Sequence, residues 1–153
     1  KGIGGNNVFG LKIAQAVSRR YLADRIIDKD FVRSADEVMD YLKHHLRDKS
    51  RESFLVIYLN GRNQILNMEE LFEGTLSTSA VYPREVVKHA LDNDAAALVF
   101  VHNHPSGNPN PSQDDLTMTK KLVEAAKAID VSVHDHLIIA GNDVYSFADH
   151  GLL

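Results

Sequence analysis

Hydrophobic residues along this chain occur with two kinds of spacing. Short, nearly continuous apolar runs are typical of strands buried inside a sheet, and turn residues such as Asn60-Gly61 and Gly141-Asn142-Asp143 favour hairpins between neighbouring strands. The predicted strands are 53–59, a hairpin partner that begins at Gln64, 95–101, 132–140 and 144–147.

Other segments place apolar residues every three or four positions, which is the spacing of an amphipathic helix. The predicted helices are 11–22, 34–46, 83–91 and 112–129. Ser34-Ala-Asp-Glu37 has the pattern of a capping box, and Ser112 is the expected N-cap of the last helix, with Asp115 in its first turn. Strands interleaved with helices predict a mixed α/β (α+β) fold with helices flanking the sheet.

The candidate chemistry follows the buried run that ends at Val101. His102 and His104 lie two positions apart, so on an extended strand their side chains point to the same face. The Pro- and Gly-rich stretch Pro105–Pro111 folds the next helix back toward the end of this strand, which brings Asp115 near both imidazoles. Two imidazoles and a carboxylate suit a divalent metal ion, so the sequence predicts a metal site here.

Three protein ligands leave one coordination position free for water, which is typical of catalytic rather than structural zinc sites. Two histidines and a carboxylate also fit the facial triad of non-haem iron, so iron stays open as an alternative. Two other hydrolase patterns fit less well. Metallo-β-lactamases continue His-x-Asp-His where Pro105-Ser-Gly107 stands here, and amidohydrolases need barrels of about 250 residues, whereas this chain has 153.

His-x-His, seven residues, Ser, two residues and Asp resembles the JAMM motif of MPN-type zinc metalloproteases. Together with Tyr82-Pro-Arg-Glu85, Pro105-Ser-Gly107 and Asp135-His136, the motif is similar to that of the RadC-like bacterial branch, and the likeness runs from about Arg51 to the C-terminus. The resemblance implies an MPN-like (cytidine-deaminase-like) mixed sheet. It also implies one Zn²⁺ per chain, bound by His102, His104 and Asp115, with Ser112 near the activated water or the developing oxyanion.

Enzymes of this family use a glutamate on an early strand as general acid and base, and two residues are candidates. Glu52 opens the apolar run 53–59 and heads a predicted strand well before the histidines, as in the family's pattern. Glu85 follows Pro83 in the first turn of a helix, where acidic residues are common because they complement the helix dipole. We therefore assign the role to Glu52 and keep Glu85 as the alternative.

These parts predict hydrolysis of an amide bond, peptide or isopeptide, in a peptide or protein substrate. Zinc lowers the pKa of a bound water to about 7 and polarises a carbonyl, while Glu52 moves the proton and Ser112 helps to hold the oxyanion. Two other functions stay open. MPN-type domains also serve as non-catalytic binding scaffolds, although such domains usually lose ligands, and RadC-like proteins carry a name associated with DNA repair.

Charge and composition bound the remaining possibilities. The chain is 44% hydrophobic and 25% charged, contains no cysteine and has a net charge of −4, so we expect one compact domain and little affinity for nucleic acid. With no membrane segment or signal pattern recognisable, a cytoplasmic protein is expected.

Residues 1–51 hold 11 basic and 7 acidic residues, against 6 and 14 in the remainder. We read 1–33 as an N-terminal helical segment and 34–153 as the catalytic domain. Gly2-Ile3-Gly4 resembles the end of a helix-hairpin-helix unit.

Five other residues are candidates for lesser roles. His134 and His136 share a face of a predicted strand and are expected to be either sheet-edge residues or residues that support the metal ligands, and the supporting role is proposed above all for His136. His44 and His45 are expected on the surface of the second helix. Arg84 is expected to be solvated or ion-paired rather than to bind a substrate carboxylate.

Overall fold

The computed structural model of the chain describes residues 5–74 and 81–153, and within these ranges five strands form one mixed sheet. The strands are β1 (Glu52–Leu59), β2 (Ile65–Gly74), β3 (Ala97–Asn103), β4 (Ser132–Ala140) and β5 (Asp143–Ser146). Their spatial order is β2-β1-β3-β4-β5, with β3 and β4 parallel and every other neighbouring pair antiparallel. The mixed α/β fold and both predicted hairpins are therefore confirmed.

Four helices flank this sheet. They are α1 (Gly5–Ile26), α2 (Ala35–Leu46), α3 (Pro83–Asp92) and α4 (Gln113–Lys127). Each contains most of a predicted helix, and α1 extends beyond its predicted bounds at both ends. Several apolar residues of α1 are exposed, including Phe9 at 67% and Val17 at 62%. The predicted boundary between residues 33 and 34 stays a prediction.

Alternate residues of the central strands face opposite helix layers, as the two-residue period of a strand requires. On β1, Leu55 and Ile57 pack in one core cluster with residues of α2, whereas Phe54 and Val56 pack in the other with residues of α3 and α4. The same alternation on β3 directs Leu98, Phe100 and His102 toward the α3 and α4 layer. This alternation places the end of β3 next to the start of α4.

Two features differ from the sequence-based expectation. The capping box predicted at Ser34 is wrong, because the Ser34 side chain makes no capping hydrogen bond and Glu37 instead pairs with the ammonium group of Lys29. His45 is not a surface residue: its side chain is 18% exposed, stacks on Tyr41 and contacts the Glu70 carboxylate. His44 is exposed, as expected.

Across residues 5–74 and 81–153, no helix combines the length and the apolar character that crossing a membrane requires.

Candidate metal centre

The end of β3 brings the two histidines together. His102 is the penultimate residue of β3, and His104 continues the extended backbone, since its N–H donates to the Ile139 carbonyl of β4 at 2.9 Å. Their Nε2 atoms lie 2.9 Å apart. The histidines therefore share a face and point toward the same place, as their spacing predicts.

The first turn of α4 supplies the carboxylate. Ser112 is the N-cap: its Oγ accepts from the Asp115 N–H at 3.1 Å, and the Asp115 carboxylate accepts from the Ser112 N–H at 2.7 Å. This capping box fixes the start of the helix, and the Ser112 hydroxyl also donates to Asp115 Oδ2 at 2.6 Å. The cap thus holds Asp115 toward the end of β3.

The three side chains offer donor atoms at a spacing that fits a metal ion. One ligand atom from each of His102, His104 and Asp115 lies within 4.8 Å of the other two. His102 Nε2 is 3.2 Å from Asp115 Oδ1, and His104 Nε2 is 3.4 Å from Asp115 Oδ2. Zinc bonds of 2.0–2.1 Å in a tetrahedron separate neighbouring ligand atoms by about 3.3 Å. These spacings are therefore compatible with a metal ion held between the three side chains.

The outward nitrogen of each histidine is also hydrogen-bonded. His104 Nδ1 lies 2.7 Å from the carbonyl oxygen of Asn108, and because a carbonyl only accepts, Nδ1 carries the proton and Nε2 is free to bind a metal. His102 Nδ1 lies 2.7 Å from His136 Nε2, and His136 Nδ1 lies 2.6 Å from Thr119 Oγ1. Such contacts orient metal-binding imidazoles. His136 thus lies where a supporting residue would be.

The electrostatics of the centre favour a carboxylate between imidazoles. Burial acts to raise the pKa of Asp115, but the contacts with the His102 and His104 imidazoles outweigh it and hold that pKa well below its usual range. Burial lowers the pKa of His102 and, more strongly, that of His136. Burial also acts to lower the pKa of His104, yet contacts with Asp115 and the Asn108 carbonyl leave it raised. Asp115 is therefore anionic in this structure, as a metal-binding carboxylate must be.

Glu52 lies at the mouth of the centre, at the start of β1. Strand pairing sets Phe54 opposite His102, so Glu52, two residues earlier, faces the same side next to His104. Its negative charge acts on the imidazoles of both His102 and His104 and favours their charged forms, although burial still leaves the pKa of His102 lowered. Glu52 also lines an open cleft of about 480 Å³ beside the centre. Among the described residues, Ser50, Arg51, Gly74, Pro105 and Ser106 line it as well.

Asn103, between the two histidines, holds the start of β1 in place. Its side chain points away from the donors, where Oδ1 accepts from the Ser53 N–H at 2.7 Å and Nδ2 donates to the Arg51 carbonyl at 3.1 Å. These two bonds bracket Glu52. One side chain of the histidine strand therefore positions the backbone that carries the glutamate.

Comparison with known proteins agrees with this geometry. The profile of the RadC-like JAB domain matches residues 32–152, which include Glu52 and the three candidate ligands. The chain belongs to the RadC-like JAB domain family.

Relatives of this RadC-like domain occur in several bacteria. A UPF0758 protein of Thiobacillus denitrificans (strain ATCC 25259 / T1) is 45% identical over 152 residues, which are 99% of this chain and 68% of the relative. UPF0758 protein PSHAa2643 of Pseudoalteromonas translucida (strain TAC 125) is 42% identical over 153 residues, which are 100% of this chain and 68% of the relative. UPF0758 protein YfjY of Escherichia coli (strain K12) is 49% identical over 120 residues, or 78% of this chain and 75% of the relative.

The other candidate residues of this RadC-like domain lie away from the donors or on its surface. Glu85 pairs with Arg84 at 3.1 Å, and the Arg84 side chain is 83% exposed, so the expectation of solvation or ion pairing for Arg84 is confirmed. Glu85 borders a separate recess near Tyr82. His134 is exposed at the sheet and contacts Asn63 Oδ1 at 2.9 Å.

Two residues of this RadC-like domain escaped the sequence-based reasoning. Thr119 is fully buried against His136, and Asn103 is fully buried between β3 and β1. A signal for Thr119 existed, because it lies one helical turn after Asp115 and so faces the same side of α4. For Asn103 the corresponding signal was a polar side chain at the end of an otherwise apolar buried strand, where its amide needs hydrogen-bond partners.

Proposed function

We propose that this RadC-like domain is a zinc-dependent metallopeptidase that hydrolyses a peptide or isopeptide amide bond in a peptide or protein substrate. The observation that supports it most is the convergence of His102, His104 and Asp115, with Glu52 and an open cleft beside them. Membership of the JAB domain family is consistent with this assignment.

Different residues of the chain bind the metal and transfer the proton. His102, His104 and Asp115 would hold the zinc ion, and bound zinc would supply a Lewis acid and lower the pKa of a coordinated water to about 7. Glu52 accepts a proton from the attacking water and delivers it to the leaving amine nitrogen, which is ordinary general acid-base catalysis. The cleft beside Glu52 admits the substrate chain.

Ser112 takes a role in this scheme that begins with its contact to Asp115. Its hydroxyl donates to Asp115 Oδ2 at 2.6 Å, so it orients the carboxylate that would bind zinc. The same hydroxyl, by rotation about its Cβ–Oγ bond, would donate to an oxyanion formed at the substrate carbonyl.

Metal analysis and chelation test the proposal together. We expect the chain, purified without added metal, to contain about one equivalent of zinc, as three protein ligands and an open position imply. A library of peptides and isopeptide-linked conjugates should be cleaved by this protein. The cleavage should stop with a chelator and return with zinc.

Two outcomes would contradict the proposal. Stoichiometric iron in place of zinc would contradict the hydrolase assignment. Absence of any chelator-sensitive cleavage would favour a binding scaffold.

A salt-titrated DNA-binding measurement tests the alternative of a DNA-associated function, because affinity that depends on phosphate contacts falls steeply with salt. The expectation of a cytoplasmic location belongs to the same proposal.

A further inference from the structure

The two histidines of the metal centre differ in what fixes their protons. For His104 the neighbour of Nδ1 is a carbonyl oxygen, which can only accept, so the proton must lie on Nδ1. For His102 the neighbour of Nδ1 is another imidazole nitrogen, His136 Nε2, at 2.7 Å. Either nitrogen could donate in that pair. The choice decides whether His102 Nε2 carries a proton or a free electron pair.

Thr119 removes this ambiguity. Its Oγ1 lies 2.6 Å from the Asp115 carbonyl oxygen, one turn earlier in α4, and also 2.6 Å from His136 Nδ1. Two oxygen atoms this close repel each other unless a hydrogen lies between them, and the carbonyl has no hydrogen to give. The single hydroxyl hydrogen of Thr119 must therefore point to Asp115, and Oγ1 must accept from His136.

The remaining protons follow in sequence. Because Thr119 Oγ1 accepts, the proton of neutral His136 lies on Nδ1, and its Nε2 has a free electron pair. His102 Nδ1 must then donate to His136 Nε2, which leaves the electron pair of His102 Nε2 directed at Asp115 and His104. We propose that Thr119 is a positioning residue that sets His102, through His136, in the tautomer that can bind a metal ion.

The surroundings make this chain of bonds dependable. His102, His136 and Thr119 are fully buried, so water does not compete for their protons. The His136 ring packs among three phenylalanines, with centroid distances of 5.8 Å to Phe54, 5.9 Å to Phe100 and 4.7 Å to Phe147. A charged imidazolium is costly in such a site, so His136 has one proton to place. The helix backbone at Asp115 thus determines a proton position two side chains away.

The test uses three variants of the whole chain. Thr119→Val keeps the shape and removes the hydroxyl, so His136 loses its acceptor and can shift its proton to Nε2, toward His102. Thr119→Ser keeps the hydroxyl. Thr117→Val is the matched control, because Thr117 Oγ1 makes the same type of bond to the Gln113 carbonyl in α4, at 2.9 Å, without a bond to His136.

Zinc affinity, measured by competition with a chromophoric chelator, is the first readout. This inference rests on the metal-binding role proposed above. We expect Thr119→Val to weaken zinc binding about 10- to 100-fold, as removal of an orienting contact does at other metal sites. Thr119→Ser and Thr117→Val should bind zinc like the unsubstituted chain. Equal affinity of Thr119→Val and the unsubstituted chain would overturn the inference.

The second readout needs no metal and separates the two proposals. Long-range ¹H–¹⁵N spectra of the metal-free chain identify which ring nitrogen of each histidine is protonated, and we expect Nδ1–H on His102 and His136. Nε2–H on either ring overturns the inference even if zinc binds. Failure to bind zinc with Nδ1–H present would contradict the proposed function alone. If Thr119→Val does not fold, these spectra of the unsubstituted chain and of Thr119→Ser still decide.

Discussion

Two clusters of histidine and carboxylate side chains, at different places in the fold, differ in the groups that balance the negative charge of their carboxylates. In the ion-pair cluster, formed by His45, Lys49, Glu70 and Glu73, the Lys49 ammonium group lies 2.6 Å from Glu70 and 3.2 Å from Glu73. His45 Nε2 adds a contact of 3.2 Å to Glu70. The chain itself therefore provides the cation for these carboxylates.

In the metal centre the arrangement is different. The ion-pair contacts of Asp115 come from two imidazoles, whose metal-facing nitrogens lie 2.9 Å from each other. Two nitrogen electron pairs and an anionic carboxylate directed at one place suit a cation from solution. The difference teaches that histidine beside carboxylate is not by itself a metal site. What distinguishes the metal centre is that its three donors converge on one place. Among the described residues, the ion-pair partners of Asp115 there are histidines and not lysine or arginine.

The largest expected effect is on metal binding, from Asp115→Asn. We expect zinc affinity to fall by more than ~100-fold, because residues that only orient a ligand already cost about 10- to 100-fold. The amide can still accept the Ser112 N–H, so the helix cap is retained. Competition with a chromophoric chelator measures the change. Asp114→Asn, in the same first turn but exposed, is the control. Unaltered zinc affinity of Asp115→Asn would show that the centre does not bind metal as proposed.

Next in size is the effect of Glu52→Gln on turnover. We expect cleavage to slow by about 10²- to 10⁴-fold, the usual contribution of a general acid-base group. Zinc affinity should change little, since Glu52 is not one of the three converging donors. Steady-state kinetics on a cleaved library peptide measure the loss, with Glu85→Gln as the matched control. Normal turnover of Glu52→Gln together with loss in Glu85→Gln would reverse the assignment.

A smaller effect, on stability, belongs to the ion-pair cluster. The hydrogen bond from His45 and that from Lys49 lower the pKa of Glu70 from 4.5 to about 2. A carboxyl group whose pKa is lower in the folded chain than in the unfolded chain stabilises the fold at any pH above the unfolded pKa. This contribution is therefore present above pH 4.5 and is lost as pH falls toward 2. We expect Glu70→Gln to lower the unfolding free energy by on the order of 2 kcal/mol at pH 7, and by little near pH 2.

Urea denaturation at several pH values checks this prediction. Zinc affinity is the control readout, and it should stay the same in Glu70→Gln because the ion-pair cluster and the metal centre share no residue. The same loss of stability at pH 2 and pH 7 would show that the Glu70 charge is not the cause.

The smallest effect on stability is expected from Ser112→Ala. Loss of an N-cap side chain costs about 1 kcal/mol of folding stability, because one amide at the helix start loses its acceptor. Chemical denaturation of the metal-free chain measures it, and Ser132→Ala, at an exposed position, is the reference substitution. A free energy of unfolding equal to that of the reference would mean that the cap at α4 adds nothing.

Much of the centre could be predicted from the sequence because its signals are local. His102 and His104 are two positions apart at the end of one strand, and Ser112 and Asp115 form an N-cap pattern within one turn. Strand period and cap chemistry fix the directions of these side chains without knowledge of the rest of the fold. The loop from Pro105 to Pro111 is short enough to bring the two parts together.

What could not be predicted depends on pairing between distant segments. Asn103 bonds to backbone groups 50 and 52 positions away, and His45 contacts Glu70 from 25 positions away. His45 was expected on the surface because helical spacing alone does not show that β2 passes beside α2. The pattern at Ser34 predicted a capping box that does not form: the Ser34 side chain makes no capping hydrogen bond, and Glu37 pairs with Lys29.

Asn103 has a consequence for how the two halves of the site move. Its side chain ties the backbone on both sides of Glu52 to the strand that carries the histidines. Separation of β1 from β3 at this end would therefore displace the glutamate and break both hydrogen bonds of the Asn103 side chain in one event. In hydrogen exchange, the Ser53 amide should report this opening directly, because its exchange requires the Asn103 bond to break. A site built this way would lose Glu52 and one wall of the cleft together, rather than by degrees.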